Sequence, residues 1–283
     1  MADQLAAAQS LAARLPGLLV EAERVASTVM QGSHGRRRSG SGDSFWQYRP
    51  FMPGDPVNRI DWRRSARSDR VSIRETEWEA AQTVVLWLDP ASRLDWRSRA
   101  APVTKRMRAQ LLALAAGILL LRAGERVRLA GAELRNFQGR SAIERLAQAI
   151  PTYAFDLDAA VVPRHARLLL ISDFLFELPE VAALIGPVAG LAPRPALVQV
   201  LDPAEAQLPY AGRIELRDAA GEHRELLRNA SSAAETYALR FQAHQEGLRQ
   251  VATHLGGTLV TCGTEEAASP ALLAIWHALA SQR

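Results

Sequence analysis

The chain reads as an α/β protein built on a doubly wound, mostly parallel sheet, and three observations predict it. From residue 80 onward, strand-like and helix-like segments alternate, the order that a parallel sheet with crossover helices requires. The strand-like segments are continuous apolar runs, such as Thr83-Val84-Val85-Leu86-Trp87-Leu88. A strand apolar on both faces is one covered by helices on both sides. Three of these runs end in an aspartate, at Asp89, Asp173 and Asp202. The carboxyl ends of parallel strands are where this architecture places its sites.

Taken in order, residues 4–30 carry leucines and Val25 at helical spacing, with Pro16-Gly17 kinking or splitting the helix. Residues 31–43 are rich in Gly, Ser and Arg and read as a solvated loop. Val71 to Glu75 alternates as a strand does. After the strand at 83–88 come a helix over 100–122 and a short strand over 126–130. A helix over 141–150 follows, for which Ser141 and Glu144 form a capping box. Then come a strand over 167–172, a helix over 179–191 with proline in its first turn, and a strand over 196–201. Residues 214–217 and 222–226 flank Asp218-Ala219-Ala220-Gly221 as a hairpin. A helix over 231–255, a strand over 258–261 and a helix over 270–280 close the pattern. The organisation expected is an extension over 1–80 packing on a main α/β domain over 81–283.

Composition narrows the function classes. The chain is 283 residues long and 48% hydrophobic, enough for a sizeable core. The single cysteine, Cys262, excludes an intramolecular disulfide framework and a cysteine-based zinc cluster. It makes a reducing, cytoplasmic setting the default. The opening Met1-Ala2-Asp3-Gln4 lacks the basic and apolar regions of a signal peptide. A long, mainly apolar run, Ala109 to Leu121, lies between Arg108 and Arg122. It falls short of the ~20 residues that span a bilayer, and reads as a buried helix. No P-loop, dinucleotide fingerprint or Gly-x-Ser-x-Gly elbow is present. The six histidines are scattered, and Cys262 after its apolar strand reads as a core thiol.

Charge is concentrated in one place. Residues 31–74 hold ten arginines and four aspartates, net +6, in a chain of net +4, so the remainder is −2. Arginines interleaved with Phe45, Trp46, Tyr48, Phe51 and Trp62 are a pattern that binds nucleic acid by phosphate contact and stacking. The favoured reading is structural: the arginines pair with Asp43, Asp55, Asp61 and Asp69 and fix a loop. Within this region Arg49, Gly54, Asp55, Arg59, Asp61, Trp62 and Arg67 form the expected network, with Trp62 its packed anchor. Arg36, Arg37 and Arg38 are left as contacts for a partner.

These residues carry a family resemblance. Gly40-x-Gly42-x-x-Phe45, Arg49, Pro53-Gly54-Asp55, Arg59, Ile60-Asp61-Trp62 and Ser65-Ala66-Arg67 together resemble the bacterial "domain of unknown function 58" family, in its short form without membrane segments. The match covers about residues 31–175 by motif and the rest by architecture. The resemblance implies a von Willebrand factor A-like domain, and a role as accessory to MoxR-type AAA+ ATPases in maturing client proteins.

Such domains hold a divalent cation with Asp-x-Ser-x-Ser after the first strand, a threonine and a further aspartate. Here the sequence reads Asp89-Pro90-Ala91-Ser92-Arg93. Asp89, Ser92 and Asp173 are what remains of a Mg²⁺ site, with Ser141 a weak stand-in for the threonine. Two oxygen ligands are lost and a permanent cation, Arg93, is added. The expectation is that no cofactor is required, and that the guanidinium takes the metal's place beside Asp89 or Asp173. Arg93 is also a candidate partner contact. Three functional readings stand: a non-enzymatic adaptor of an AAA+ ATPase, a nucleic-acid binder using residues 31–74, and a metal-dependent interaction domain or enzyme at the Asp89/Asp173 crevice.

Overall fold

A computed structural model describes residues 20, 22–27, 45–52, 57, 60–67, 71–76, 81–131, 135–217 and 224–280. They fall into two compact units: one holds the described residues up to 27 and from 82 onward, the other those between 45 and 81. The helical residues 22–27 (α1) fall in the unit that carries the α/β sheet. The reason is apolar burial. Ala22, Val25 and Ala26 enter the main core, and Glu23 pairs with Arg122 at 3.2 Å.

The smaller unit holds an antiparallel pair, β1 (Phe45–Pro50) and β2 (Ser72–Thr76), and the short helix α2 (Trp62–Ser65). Arg49 lies in β1 opposite Ile73. Asp61 caps α2, accepting from the Arg64 amide at 2.9 Å, while its own amide bonds the Ser72 carbonyl at 3.0 Å. Ser65 ties the same corner by donating to the Asp61 carbonyl at 2.8 Å and accepting from the Ser72 amide at 2.9 Å. Trp62 corrects the expectation of a packed anchor: the residue is 63% exposed. As the first residue of a four-residue helix it is held by the cap rather than by a core. Arg67 is exposed in the turn that follows. Gly54, Asp55, Arg59 and Arg36 to Arg38 lie outside the described residues.

The larger unit is centred on a six-stranded sheet of β3 (Thr83–Leu88), β4 (Arg126–Leu129), β5 (Arg135–Gln138), β6 (Arg167–Ser172), β7 (Ala196–Leu201) and β10 (Thr258–Gly263). Their order across the sheet is β10-β7-β6-β3-β4-β5. All neighbours are parallel except β5, which runs antiparallel to β4 at the edge. Numbered within the sheet this is the doubly wound order 3-2-1-4-5-6. The expected architecture is therefore present. The edge strand β5 has no counterpart in the sequence reading. Of its four residues only Phe137 is buried, so it is short and polar, as unprotected sheet edges are.

Helices α4 (Ile143–Ala149) and α8 (Ala268–Ala280) each pack against α3 (Lys105–Arg122). A second group is formed by α5 (Leu178–Ala189) and α7 (Ala230–His254). Helix α3 contacts β3, β4, β6 and β7 beneath it and α4 and α8 around it, which is why it is apolar nearly all round. Its start at residue 105 rather than 100 follows from Pro102, which biases Ala101 away from helix, and from Thr104, whose hydroxyl accepts from the Met107 amide at 3.1 Å. The Ser141–Glu144 capping box does not form. A 3-10 turn, Arg140–Ala142, precedes α4, whose N-cap is Ala142. The expected hairpin is present as β8 (Ile214–Arg217) paired with β9 (Arg224–Leu227), and α6 (Pro203–Gln207) follows β7 directly.

One glycine shows how tightly β10 is entered. A Cβ on Gly257 would lie 2.1 Å from the Pro195 carbonyl oxygen, a backbone atom that cannot rotate away. Gly257→Ala is expected to destabilise the protein by ~1–3 kcal/mol. Chemical denaturation measures it, and an unchanged midpoint would show that β10 tolerates a shift.

Candidate functional site

The order of the sheet reverses between β3 and β6, and in this architecture ligand crevices lie at the carboxyl ends of the strands flanking that reversal. Asp89 follows β3 and Asp173 follows β6, so the fold brings two of the three strand-end aspartates side by side. Asp202 stands one strand further along, after β7. All three are nearly or fully buried.

The space between the first two aspartates is filled by the protein's own cations. Arg93 donates from Nε to Asp173 Oδ1 at 2.9 Å and from its NH2 nitrogen to Asp89 Oδ2. It therefore pairs with both aspartates. Its guanidinium lies over the Phe176 ring, 4.9 Å from the centroid. Lys105, the only lysine in the chain, is 1% exposed. It donates from Nζ to Asp173 Oδ2 at 2.8 Å and to Glu205 Oε1 at 2.5 Å. Ser172 donates its hydroxyl to Asp89 Oδ2 at 2.5 Å, and the Ala91 amide binds Asp89 Oδ1 at 2.9 Å. Each carboxylate oxygen of Asp89 and Asp173 thus accepts at least one hydrogen bond.

A further layer fixes the strand ends. Gln199 on β7 donates to the Asp173 carbonyl at 2.9 Å and accepts from Gln245 of α7 at 2.8 Å. The backbone at Phe174 turns into the left-handed region, with φ of 47°, which a bulky residue adopts only when its surroundings impose it. The Phe174 amide donates to Ser172 Oγ at 3.1 Å, and the Phe174 carbonyl lies 2.7 Å from His244 Nε2. A carbonyl only accepts, so Nε2 carries the proton. His244 is thus a backbone clamp. Asp202 caps α6 with a complete capping box involving Glu205, and also accepts from the Ser98 amide at 2.7 Å.

The charges shift one another. Burial alone would push the Asp173 carboxyl up, but the pull of Lys105 and then Arg93 outweighs it and holds the group below its ordinary value. Glu205 goes the other way: burial dominates, Lys105 offsets it only in part, and nearby Asp173 adds repulsion, so its carboxyl is raised. Tyr237, whose hydroxyl donates to the Glu205 carbonyl, is raised by burial and then by Glu205 itself. Cys262 is fully buried, and burial pushes its thiol up to about 11, against the pull of Arg108. It is chemically quiet at neutral pH.

The donor set does not fit a divalent cation. Of the three residues expected to hold one, Asp89 and Asp173 are together, but Ser92 is exposed at the start of a 3-10 turn, Ser92–Asp95. Ser141 is also exposed, on the turn before α4. Two fixed positive charges sit against the carboxylates a metal would need. Among the described residues, no group of three or more His, Cys, Asp or Glu is placed to hold a metal. Isothermal titration with Mg²⁺ and Mn²⁺ is expected to give no binding tighter than ~1 mM. Tighter binding, abolished by Asp89→Ala, would mean that Arg93 swings aside.

Sequence reading found Asp89, Asp173 and Arg93 but missed Lys105 and Glu205. A signal for Lys105 was available: it is the one lysine in a chain that otherwise uses arginine throughout. Glu205 had none beyond its place three residues after Asp202.

Fold and crevice together define a doubly wound α/β protein whose strand-end site is closed by its own ion pairs. Residues 47–247 match the family described as "Protein of unknown function DUF58", and the chain belongs to that family. It is 28% identical to the uncharacterised protein Rv1480 of Mycobacterium tuberculosis (strain ATCC 25618 / H37Rv), over 74% of this chain and 71% of that one. The uncharacterised protein Mb1516 of Mycobacterium bovis matches to the same extent. Among solved structures, an aerotolerance-related membrane protein from Bacteroides fragilis NCTC 9343 aligns with a TM-score of 0.41 at 11% identity, over 72% of this chain and 100% of that one. The conserved hypothetical protein BatB from Bacteroides thetaiotaomicron aligns at 0.40 and 11%, over 71% and 100%. Both likenesses are too distant to bear on function. Among the described residues, no helix is long and apolar enough to cross a membrane.

Proposed function

We propose that this protein is a non-enzymatic interaction protein, an adaptor that works with a MoxR-type AAA+ ATPase in the maturation or assembly of client proteins in the cytoplasm. The observation that supports the non-enzymatic part is the state of the crevice. Where the fold would seat a substrate or cofactor, Arg93 and Lys105 occupy the carboxylates of Asp89, Asp173 and Glu205. Asp173, which its two cations hold below its ordinary value, is a poor base, and all three carboxylates already accept hydrogen bonds within the protein. Such a network instead holds several loops in one fixed arrangement, which is what a docking surface needs. The ATPase partner follows from the family resemblance, and the cytoplasmic setting from the single cysteine.

The test is affinity capture of the tagged protein from its native host, with and without a non-hydrolysable ATP analogue, read by mass spectrometry. Recovery of a MoxR-type ATPase in a nucleotide-dependent manner is the expected result. Nuclease-sensitive material in its place would transfer the function to the basic 31–74 segment.

A further inference from the structure

The loop that carries Arg93 also carries something the crevice does not use. Trp96 is 42% exposed, and it is flanked by Arg97 and Arg99, both exposed. A large aromatic left in water is the informative exception on a protein surface. Here it is not left there by looseness, because the loop is braced along its length. Leu94 is fully buried. Arg106 grips Asp95 with two nitrogens and donates to the carbonyls of Asp89, Pro90 and Ala91. The Ser98 amide is held by Asp202 Oδ2 at 2.7 Å, and Arg97 donates to the Ala101 carbonyl at 2.8 Å. Trp96 is thus presented from a fixed frame, so its ordering cost is already met before any encounter.

The charge balance gives the partner's sign. Between residues 90 and 106 the chain has five cations, Arg93, Arg97, Arg99, Lys105 and Arg106, and one anion, Asp95. Arg93, Lys105 and Arg106 are paired inward with Asp89, Asp173, Glu205 and Asp95. Neither Arg97 nor Arg99 has a carboxylate partner. The outward balance is two positive charges around an indole. Tryptophan and arginine are the residue types that dominate binding energy in protein interfaces, and an uncompensated guanidinium prefers carboxylates in a planar two-pronged contact.

We propose that the Trp96-Arg97-Arg99 loop is the docking site for an acidic protein segment that also carries an aromatic or aliphatic side chain. Carboxylates of the partner meet Arg97 and Arg99, and the apolar side chain packs on the indole. This deepens the adaptor reading by naming the surface it uses.

Two binding measurements on the full chain test it, each with Trp96→Ala and with the double variant Arg97→Glu/Arg99→Glu. The first uses a fluorescein-labelled peptide of about twenty residues in which glutamate pairs alternate with phenylalanine. Saturable binding is expected, weakened roughly tenfold or more by either variant and weakened by raising salt from about 50 to about 200 mM. Equal binding by wild type and variants, no wild-type binding, or tighter binding to a single-stranded oligonucleotide of similar length would each overturn the proposal. Arg97→Glu gives up the hydrogen bond to the Ala101 carbonyl, so the melting temperature is the control: an unchanged value separates lost binding from lost folding. The second measurement replaces the peptide with the purified MoxR-type ATPase of the same host. Binding by wild type that the variants retain refutes this surface and keeps the adaptor reading. No ATPase binding, with the peptide result intact, refutes the ATPase partner and keeps the surface.

Discussion

Asp173→Asn is expected to lower stability by ~3–5 kcal/mol, because it strips the buried Lys105 and the half-buried Arg93 of their shared counter-charge. Lys105 is 1% exposed and cannot turn to water without disturbing the loops it ties together, while Arg93 is left with Asp89 alone. For a domain of this size the loss corresponds to a fall in melting temperature of roughly 6–20 °C. The pH dependence gives a second readout. The Asp173 carboxyl is held below its ordinary value of 3.8. Its contribution is therefore fully present above that value and is lost as pH falls through the depressed one. The gap between wild type and Asp173→Asn should be wide at neutral pH and close in strong acid. A gap that stayed constant across this range would show that the loss is one of packing rather than charge, and a fall of under ~1 kcal/mol would falsify the network's structural role.

Lys105→Met is the second large effect, expected at about 3 kcal/mol or more. The apolar replacement fills similar space but leaves Glu205 without its cation and leaves Asp173 with Arg93 alone. Glu205 already sits above its ordinary carboxyl value of 4.5, chiefly through burial. A group raised in this way favours folding below 4.5, and that contribution is lost as pH rises through the raised value. The variant should therefore suffer more at neutral pH than near pH 4.5. Adding Glu205→Gln to Lys105→Met should recover part of the loss, since the buried uncompensated charge is then gone. Lys105→Arg should not restore wild-type stability, because a planar guanidinium cannot reproduce a point charge between two carboxylates in so closed a site. If Lys105→Met melts with the wild type, the ion pairs are ornamental.

The sheet is largely legible in the sequence. Continuous apolar runs at 83–88, 167–172 and 196–201 have only one comfortable place, a parallel sheet covered on both faces, and they lie there. The buried helix over 109–121 was legible for the same reason: a segment apolar all round has no solvent face to offer. What escaped was short or local. The edge strand Arg135–Gln138 carries one buried residue in four, too little signal to stand out. The Ser141 cap was a sound pattern overridden by a 3-10 turn. Trp62 was read as core on residue type alone, and type does not fix burial at the head of a four-residue helix.

For the site, the sequence by itself determined which groups were available: an aspartate after each of three strands, an arginine where a ligand hydroxyl would stand, and one lysine. That Asp89 and Asp173 become neighbours while Asp202 stands apart was decided by strand order, which places β3 beside β6. That Lys105 joins Asp173 to Glu205, across 68 and 100 residues of chain, was decided by the packing of α3 on the sheet. The physical reason is one of range. Propensity, periodicity and capping act over a few residues and are written locally. The pairing of buried charges is set by which surfaces burial forces together, and only the whole fold determines that.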